Sequence, residues 1–434
     1  MDKFIGKAFK GDKVVWVVFI FLFGISVVEM FSASSMLVHK YGSIYGPISR
    51  HLIMFLLGFV CFLVVQVCNF KTIRLLGYVG LAASFVFLIC LLLGFGVEQA
   101  GAARFFRIFG IQFQPSELAK LSLIIVTADQ IERFQDPEKQ EKYYRWFALV
   151  FLTICGLIFL ENLSTAALIF VVLMTIMAIG EVRLKRLFTT IAIVFSVVAL
   201  ILLIAWKIPQ STYREYEHKK VVKMFERAYT WVARIENFAF DENPDEDKYK
   251  ITDKNRQENH AQIAIARGGF IPKGPGTSVE CNYLPEAFSD FIFAIIVEEL
   301  SVFAGIAVII LYLVLLYRAG VVARQCDSLF AAILVIGVTM TIVLQALFHI
   351  CVSVRIVPVT GQPLPLISNG GTSIIINCIY FGIIILVTRY IQQQKIANQV
   401  VQQTTNNENV NNIAETETTT TETTPELIEE IKEL

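Results

Sequence analysis

No C-x-x-C pair, no H-x-x-x-H pair and no G-x-x-x-x-G-K-[ST] loop occurs in the sequence. These absences remove the usual frameworks for redox dithiols, for zinc and for a phosphate-cradling P-loop. Charge is scarce as well: 17% of residues are Asp, Glu, Lys or Arg, against 55% hydrophobic. Formal net charge is zero, so no bulk attraction to nucleic acid is expected. The eight cysteines show no disulfide framework. Cys61, Cys68, Cys90, Cys155, Cys351 and Cys378 lie in apolar stretches, Cys326 in a short basic loop, and only Cys281 in a long polar segment.

Long apolar runs are what the chain has in abundance. Its mean hydropathy of +0.62 is too high for a soluble domain of this size. The class is all-α, a polytopic integral membrane protein. A span takes about 20 apolar residues, and ten stretches qualify: 14–33, 50–68, 75–95, 114–130, 146–160, 163–180, 187–206, 290–317, 329–352 and 372–391. The basic N-terminus, 1–13, enters the first run with no small-residue cleavage site, which predicts a retained anchor. Seventeen Lys and Arg fall in one alternating set of short segments, and five (Lys40, Arg50, Arg104, Arg107, Arg355) in the other. That bias predicts both termini in the cytoplasm.

Segment 207–289 is then one large extracytoplasmic loop within a membrane domain of 14–395. Inside it, 213–235 sets Val221, Phe225, Ala228, Val232 and Ile235 at helical spacing, with Lys and Arg on other faces. It reads either as a basic helix on the membrane surface or as a helix packed on the protein's own outer face. The end of the chain, 396–434, is rich in Gln, Asn, Thr and Glu and predicts a disordered cytoplasmic tail.

Four stretches carry candidate chemistry. YLPEAFSDFIFAIIVEEL (283–300) places Glu286 and Asp290 at i and i+4 after Pro285, on one face of a helix mouth. Acids there are favoured by the helix dipole alone. Glu298 and Glu299 lie deeper in the same run, and the expectation is a structural pairing with a buried base. GAARFFRIFGIQFQPSELAK (101–120) holds Arg104, Arg107, Glu117 and Lys120. Glu117 and Lys120, i and i+3, read as an internal salt bridge, while Arg104 and Lys120 equally suit a phosphate. GGFIPKGPGTS (268–278) offers glycines for positive φ or close backbone approach. VPVTGQPLPLISNGGTS (357–373) cannot be ordinary helix, and is either a tight turn or a cradle for a diphosphate or sugar.

In this order, these four stretches resemble the SEDS (shape, elongation, division and sporulation) family, with FtsW-like and RodA-like members. The resemblance covers nearly everything between the first and last spans. It implies a peptidoglycan glycosyltransferase acting on lipid II, a disaccharide-peptide on undecaprenyl diphosphate, in the bacterial cytoplasmic (inner) membrane. Asp290 matches the family's essential extracytoplasmic aspartate. Arg104, Glu117, Lys120, Arg234, Gln257, Glu286, Gln345, Ser368, Gly370 and Gly371 match positions implied to bind substrate. Ala287 after the glutamate favours an FtsW-like over a RodA-like protein. A penicillin-binding transpeptidase and other division proteins are the implied partners. Several positions depart from the family pattern: Phe288 where histidine is usual, Ser301 for a glycine, Asn162 for an aspartate, His349 for asparagine and Asn369 for tyrosine.

The implied chemistry is a single displacement with inversion. Asp290 takes a proton from the attacking sugar hydroxyl, and cations hold the departing diphosphate. A divalent cation (Mg or Mn) would share that charge, though no ligand cluster in the sequence points to one. Ten spans and intramembrane charges also suit a lipid II flippase, and a non-catalytic scaffold for the transpeptidase is the third reading.

Overall fold

The computed structural model describes residues 11–41, 45–99, 102–108, 111–135, 140–207, 231–232, 234, 251, 255–284 and 286–422. Apolar runs too long for a soluble core become helices because a backbone in lipid must satisfy its own polar groups. In chain order they are α1 (Lys13–Tyr41), α2 (Tyr45–Val65), α3 (Phe70–Leu92), α4 (Pro115–Arg133), α5 (Gln140–Glu161), α6 (Leu163–Ile179) and α7 (Leu184–Lys207). After the large loop come α8 (Arg256–Arg267), α9 (Ile292–Leu300), α10 (Val302–Ala323), α11 (Leu329–Ser353) and α12 (Thr372–Glu422). Among the described residues eight helices are long and apolar enough to cross a membrane on their own: α1, α2, α3, α5, α7, α10, α11 and α12. The chain is a multi-pass membrane protein.

α4 and α6, also expected as spans, differ from those eight. α6 is apolar but has 17 residues. α4 carries Glu117, Lys120, Asp129, Glu132 and Arg133, yet nearly all of it is buried. It is enclosed by other helices rather than facing lipid. α3 approaches it closely through two glycines. A Cβ at Gly77 would lie 2.4 Å from Ile125, and one at Gly80 would lie 2.5 Å from the Ser122 hydroxyl. Small residues at such crossings are what lets membrane helices pack without a hydrophobic driving force.

The run expected as one span, 290–317, is two helices. α9 ends at Leu300, Ser301 takes φ 88° and ψ 166°, and α10 starts at Val302. α10 alone has 22 residues, about 33 Å at the α-helical rise of about 1.5 Å per residue. The membrane crossing is therefore α10, and α9 precedes it. Glu298 and Glu299 thus sit at the end of the crossing rather than midway along it.

Between α3 and α4 the chain forms a small antiparallel sheet, absent from the sequence expectation. Its order is β1 (Val97–Gln99), β2 (Ala102–Ile108), β3 (Ile111–Phe113). Phe106 and Phe113, opposite each other in the register, both pack on Phe87 of α3, at 5.5 and 5.4 Å between ring centroids. That aromatic contact seats the sheet on the bundle.

The basic helix expected at 213–235 lies outside the described residues, apart from Trp231, Val232 and Arg234. Val232 is buried against Ile201 and Leu202 of α7. The tail expected to be disordered from 396 is helical as far as Glu422, and 423–434 lie outside the described residues. An apolar span already supplies the helix nucleus, so each further residue meets only the small cost of propagation. Packing separates the chain into two units, 1–387 and 388–434.

Candidate functional site

The segment 357–371 runs without regular structure among helices, so its backbone polar groups must find partners elsewhere. They do, from several different elements. The Val359 carbonyl accepts from Arg234 Nη1 at 2.9 Å, Gln362 from His349 Nδ1 at 2.8 Å and Pro363 from Gln345 Nε2 at 2.9 Å. The Pro365 carbonyl accepts from Tyr312 at 2.6 Å and Ile367 from Ser26 at 3.2 Å. Gln362 Nε2 donates to Thr165 Oγ1 at 2.8 Å. With its Nδ1 donating to Gln362, His349 Nε2 is left to accept from the Phe293 N–H at 3.4 Å. His349, the departure from asparagine, thereby fastens the start of α9 to the irregular segment.

This segment in turn carries the turn that holds Asp290. Residues 286–290 are not helical, as the sequence spacing had suggested; Glu286 has φ 56° and its carbonyl accepts from the Ser289 and Asp290 N–H groups. The i, i+4 helix-face relation of Glu286 and Asp290 is corrected on that ground: the helix starts only at Ile292. The Ser368 hydroxyl accepts from Leu364 N and donates to the Ser289 carbonyl, each at 2.7 Å, and Asn369 N donates to the Phe288 carbonyl at 3.0 Å. Gly361, at φ 66°, passes so close that a Cβ there would lie 3.4 Å from Asp290 Oδ2. Ser289 Oγ donates to Asp290 Oδ1 at 3.0 Å. Asp290 is half-buried and Glu286 exposed.

Several expected ligands prove to be supports instead. Lys120 Nζ lies 2.8 Å from Glu117 Oε1 and 2.9 Å from Gln345 Oε1, and the side chain is 0% exposed. The phosphate-ligand reading of Lys120 is therefore corrected to the internal salt bridge, since its ammonium is fully buried with two of its three donors engaged inside the bundle. Glu117 and Gln345 fall with it, for both are buried and committed to that chain of contacts, which runs on to the Pro363 carbonyl. Ser368 is corrected likewise, because its hydroxyl is used both as acceptor and as donor.

The other candidates lie on elements around the irregular segment. Gly371, at φ 55°, abuts Gln112, and Gln114 N donates to Thr372 Oγ1 at 3.3 Å, which brings the end of the sheet to the Gly370–Gly371 turn. Arg234 is tied to Val359 and lies over Trp231 at 5.3 Å. Gln257 is half-buried in the first turn of α8. Arg355, at φ 57°, pairs with Glu258 at 3.1 Å and links α8 to the irregular segment. Arg104 belongs to β2, and its side chain lies outside the described residues.

The glycine-rich loop, 268–278, closes over the break between α9 and α10. Glu299 accepts from Ser32 Oγ at 2.6 Å and from Gly276 N and Ser278 N at 3.1 Å each; Glu298 accepts from Ser278 Oγ at 2.5 Å. The expected basic partner of these acids is thus replaced by backbone N–H groups and serine hydroxyls, which stabilise a buried carboxylate equally directly. Gly268 is obligatory here, for a Cβ would lie 2.4 Å from the Val297 carbonyl. Burial first, and then the charge of Glu299, push the Cys281 thiol up to about 11, so the cysteine of the long polar segment is an inert core group. Asn162 caps α6, its side chain accepting from Ser164 N and Thr165 N at 3.0 and 3.3 Å. Asparagine suits that task as well as aspartate does.

Ser301, in place of the family's glycine, holds a backbone conformation that costs a side-chain-bearing residue about 1–3 kcal/mol. Relief of that strain exceeds the about 0.5–1 kcal/mol entropy cost of glycine. Ser301→Gly is expected to raise the thermal unfolding temperature of the detergent-purified protein; an unchanged or lower temperature would show that the strain is compensated locally.

Glu29 was missed from the sequence. It is 0% exposed within α1, and neither carboxylate oxygen has a hydrogen-bond partner among the described residues. The signal was there to read, a lone acid inside the first apolar run, where intramembrane acids mark interior faces.

The FtsW/RodA/SpoVE family model, described as cell cycle protein, matches residues 12–393. The probable peptidoglycan glycosyltransferase FtsW of Taylorella equigenitalis is 31% identical over 352 residues, covering 79% of this chain and 88% of that protein. The probable peptidoglycan glycosyltransferase FtsW of Nitrosomonas europaea is 33% identical over 307 residues, covering 69% and 71%. Among solved structures, "Structural coordination of polymerization and crosslinking by a peptidoglycan synthase complex" aligns at a TM-score of 0.62 and 22% identity, covering 87% of this chain and 98% of that one. The rod shape determining protein RodA of Thermus thermophilus aligns at 0.53 and 22%, covering 87% and 97%. At those identities the two structures speak to the fold alone, while the match along 12–393 speaks to descent: the chain belongs to the FtsW/RodA/SpoVE cell cycle protein family.

Proposed function

We infer that this chain is a peptidoglycan glycosyltransferase that polymerises lipid II into glycan strands during cell division. The observation that carries the reading is the placement of Asp290. Its carboxylate is half-buried, set in a turn that the irregular segment grips at Phe288 and Ser289, with Gly361 passing alongside. A base on such a turn is held in one orientation, and glycine at position 361 keeps the neighbouring backbone free of a side chain that would crowd Oδ2.

Chain extension joins a sugar hydroxyl to an anomeric carbon as undecaprenyl diphosphate departs. Asp290 takes the hydroxyl proton as the new bond forms, an effect typically worth about 10²–10⁴-fold. The developing negative charge on the diphosphate calls for cations aimed at it. Arg104 and Arg234 are the assigned cations now that Lys120 is committed inside the bundle. Gln257, Glu286 and the Gly370–Gly371 turn line the acceptor side. Among the described residues no three His, Cys, Asp or Glu side chains gather as metal ligands. A divalent cation would take most of its ligands from the diphosphate and water, and no step here is routed through one.

The Lys and Arg bias supports both termini in the cytoplasm and the Asp290 end outside, and membership of the family supports the bacterial inner membrane. A penicillin-binding transpeptidase, with other division proteins, is the partner this reading requires, since glycan strands must be crosslinked.

The test is polymerisation of purified lipid II in detergent, where a flippase has no second side to serve. Glycan products support the enzyme; translocation in vesicles without polymer, with or without the transpeptidase, rejects it. Within that assay, Arg104→Ala is expected to weaken use of the lipid donor more than Arg107→Ala. Equal and small effects on donor KM would remove Arg104 from the diphosphate site.

A further inference from the structure

Among the described residues, the tip of the glycine-rich loop is the most exposed apolar feature near the α9–α10 break. Phe270 is 74% and Ile271 83% exposed, and Pro272 follows. The loop is pinned on both sides of this tip. Val302 N donates to the Gly269 carbonyl at 3.2 Å, and Lys273 N and Gly274 N donate to the Glu299 carbonyl at 2.9 and 3.0 Å. The exposure is therefore built in by a fixed backbone.

The place at which it is built in matters. Val302 is the first residue of α10, the helix that by itself spans a bilayer. Gly269 is bonded to it, so Phe270 and Ile271 lie at the level where α10 leaves the hydrocarbon. Phe270 also packs its ring on Phe303, with centroids 5.8 Å apart. Phe303 heads a row of exposed apolar residues on α10, followed by Ile306 and Ile310 at helical spacing. On a membrane-spanning helix such a row faces acyl chains. The loop tip prolongs this lipid-facing row beyond the end of the helix, and the exposed Lys273 beside it supplies a cation at the depth of lipid phosphates.

We propose that Phe270 and Ile271 are a membrane anchor, inserted among the headgroups and upper acyl chains of the leaflet at the Asp290 end. The occupant of this surface is bulk phospholipid. The anchor bears on the site because the same loop holds Glu298 and Glu299 at the end of α9, whose first residues follow Asp290. The bilayer thus grips the element that closes the α9–α10 break.

The experiment places tryptophan at the tip, as Phe270→Trp and separately Ile271→Trp, in the full chain reconstituted alone into bilayer discs. Emission of the parent protein, with its four tryptophans, is subtracted. Discs are made with unbrominated lipid, with lipid brominated near the headgroup end of the chain, or with lipid brominated near the methyl end. The added emission is expected to be blue-shifted and roughly halved by the shallow bromines, with less effect from the deep ones. Water-like emission indifferent to both lipids, in either variant that folds, would overturn the proposal. So would stronger quenching by the deep bromines, which would take the tip out of the interface. Emission that stays water-like until a partner protein is added would make this a protein-docking face instead and reject the lipid assignment.

Discussion

Asp290→Asn is expected to abolish lipid II polymerisation while leaving the protein folded in the membrane. The amide is nearly the same size as the carboxylate, and its oxygen still accepts from Ser289 Oγ, the donor 3.0 Å from Oδ1. The turn itself is held by backbone bonds and by Ser368, which the substitution does not touch. What disappears is the capacity to take a proton, and with it the roughly 10²–10⁴-fold that a positioned base supplies. The check is glycan product from purified lipid II, read beside thermal unfolding of the same preparation. Full activity of the folded variant would remove Asp290 as base. Loss of activity together with loss of fold would mean that the carboxylate holds the turn together.

Lys120→Met is expected to have the largest effect on stability. Lys120 and Glu117 are both buried, 2.8 Å apart, inside a helix that other helices enclose. Removing one partner of such a pair typically costs about 3–5 kcal/mol, because the other charge is left uncompensated. Gln345 loses its donor as well, and Gln345 is the group that holds the Pro363 carbonyl. The expected result is a large drop in the unfolding temperature and a matching loss of activity. Glu117→Gln combined with Lys120→Met should recover most of the stability, since the stranded carboxylate is gone. If the double variant is no more stable than the single one, the ion pair is not what the helix depends on.

The spans were legible because apolar length is a local property, and a bilayer demands it of each helix separately. Those at 163–180 and 329–352 lie within a residue or so of α6 and α11. The buried helix α4 was legible as a helix but not as an enclosed one, since enclosure depends on which neighbours surround it. The break at Ser301 was missed because IVEELSVFAG holds no proline, and its one glycine comes four residues after the break. It comes from Gly269, which lies far back in the chain and binds Val302. The same limit explains the site. Asp290 could be singled out from its motif, but the motif could not say whether Lys120 or Ser368 faced substrate or protein.

By itself, then, the sequence determined the membrane class, the order of most apolar helices and the family, all of which are written in short contiguous patterns. Tertiary structure alone decided which polar groups are supports and which line a site. A lysine or serine hydroxyl is reactive or inert according to whether other parts of the chain have already used its hydrogen-bonding capacity. Those partners, as Lys120 with Gln345 and Ser368 with Ser289 show, lie scores of residues away.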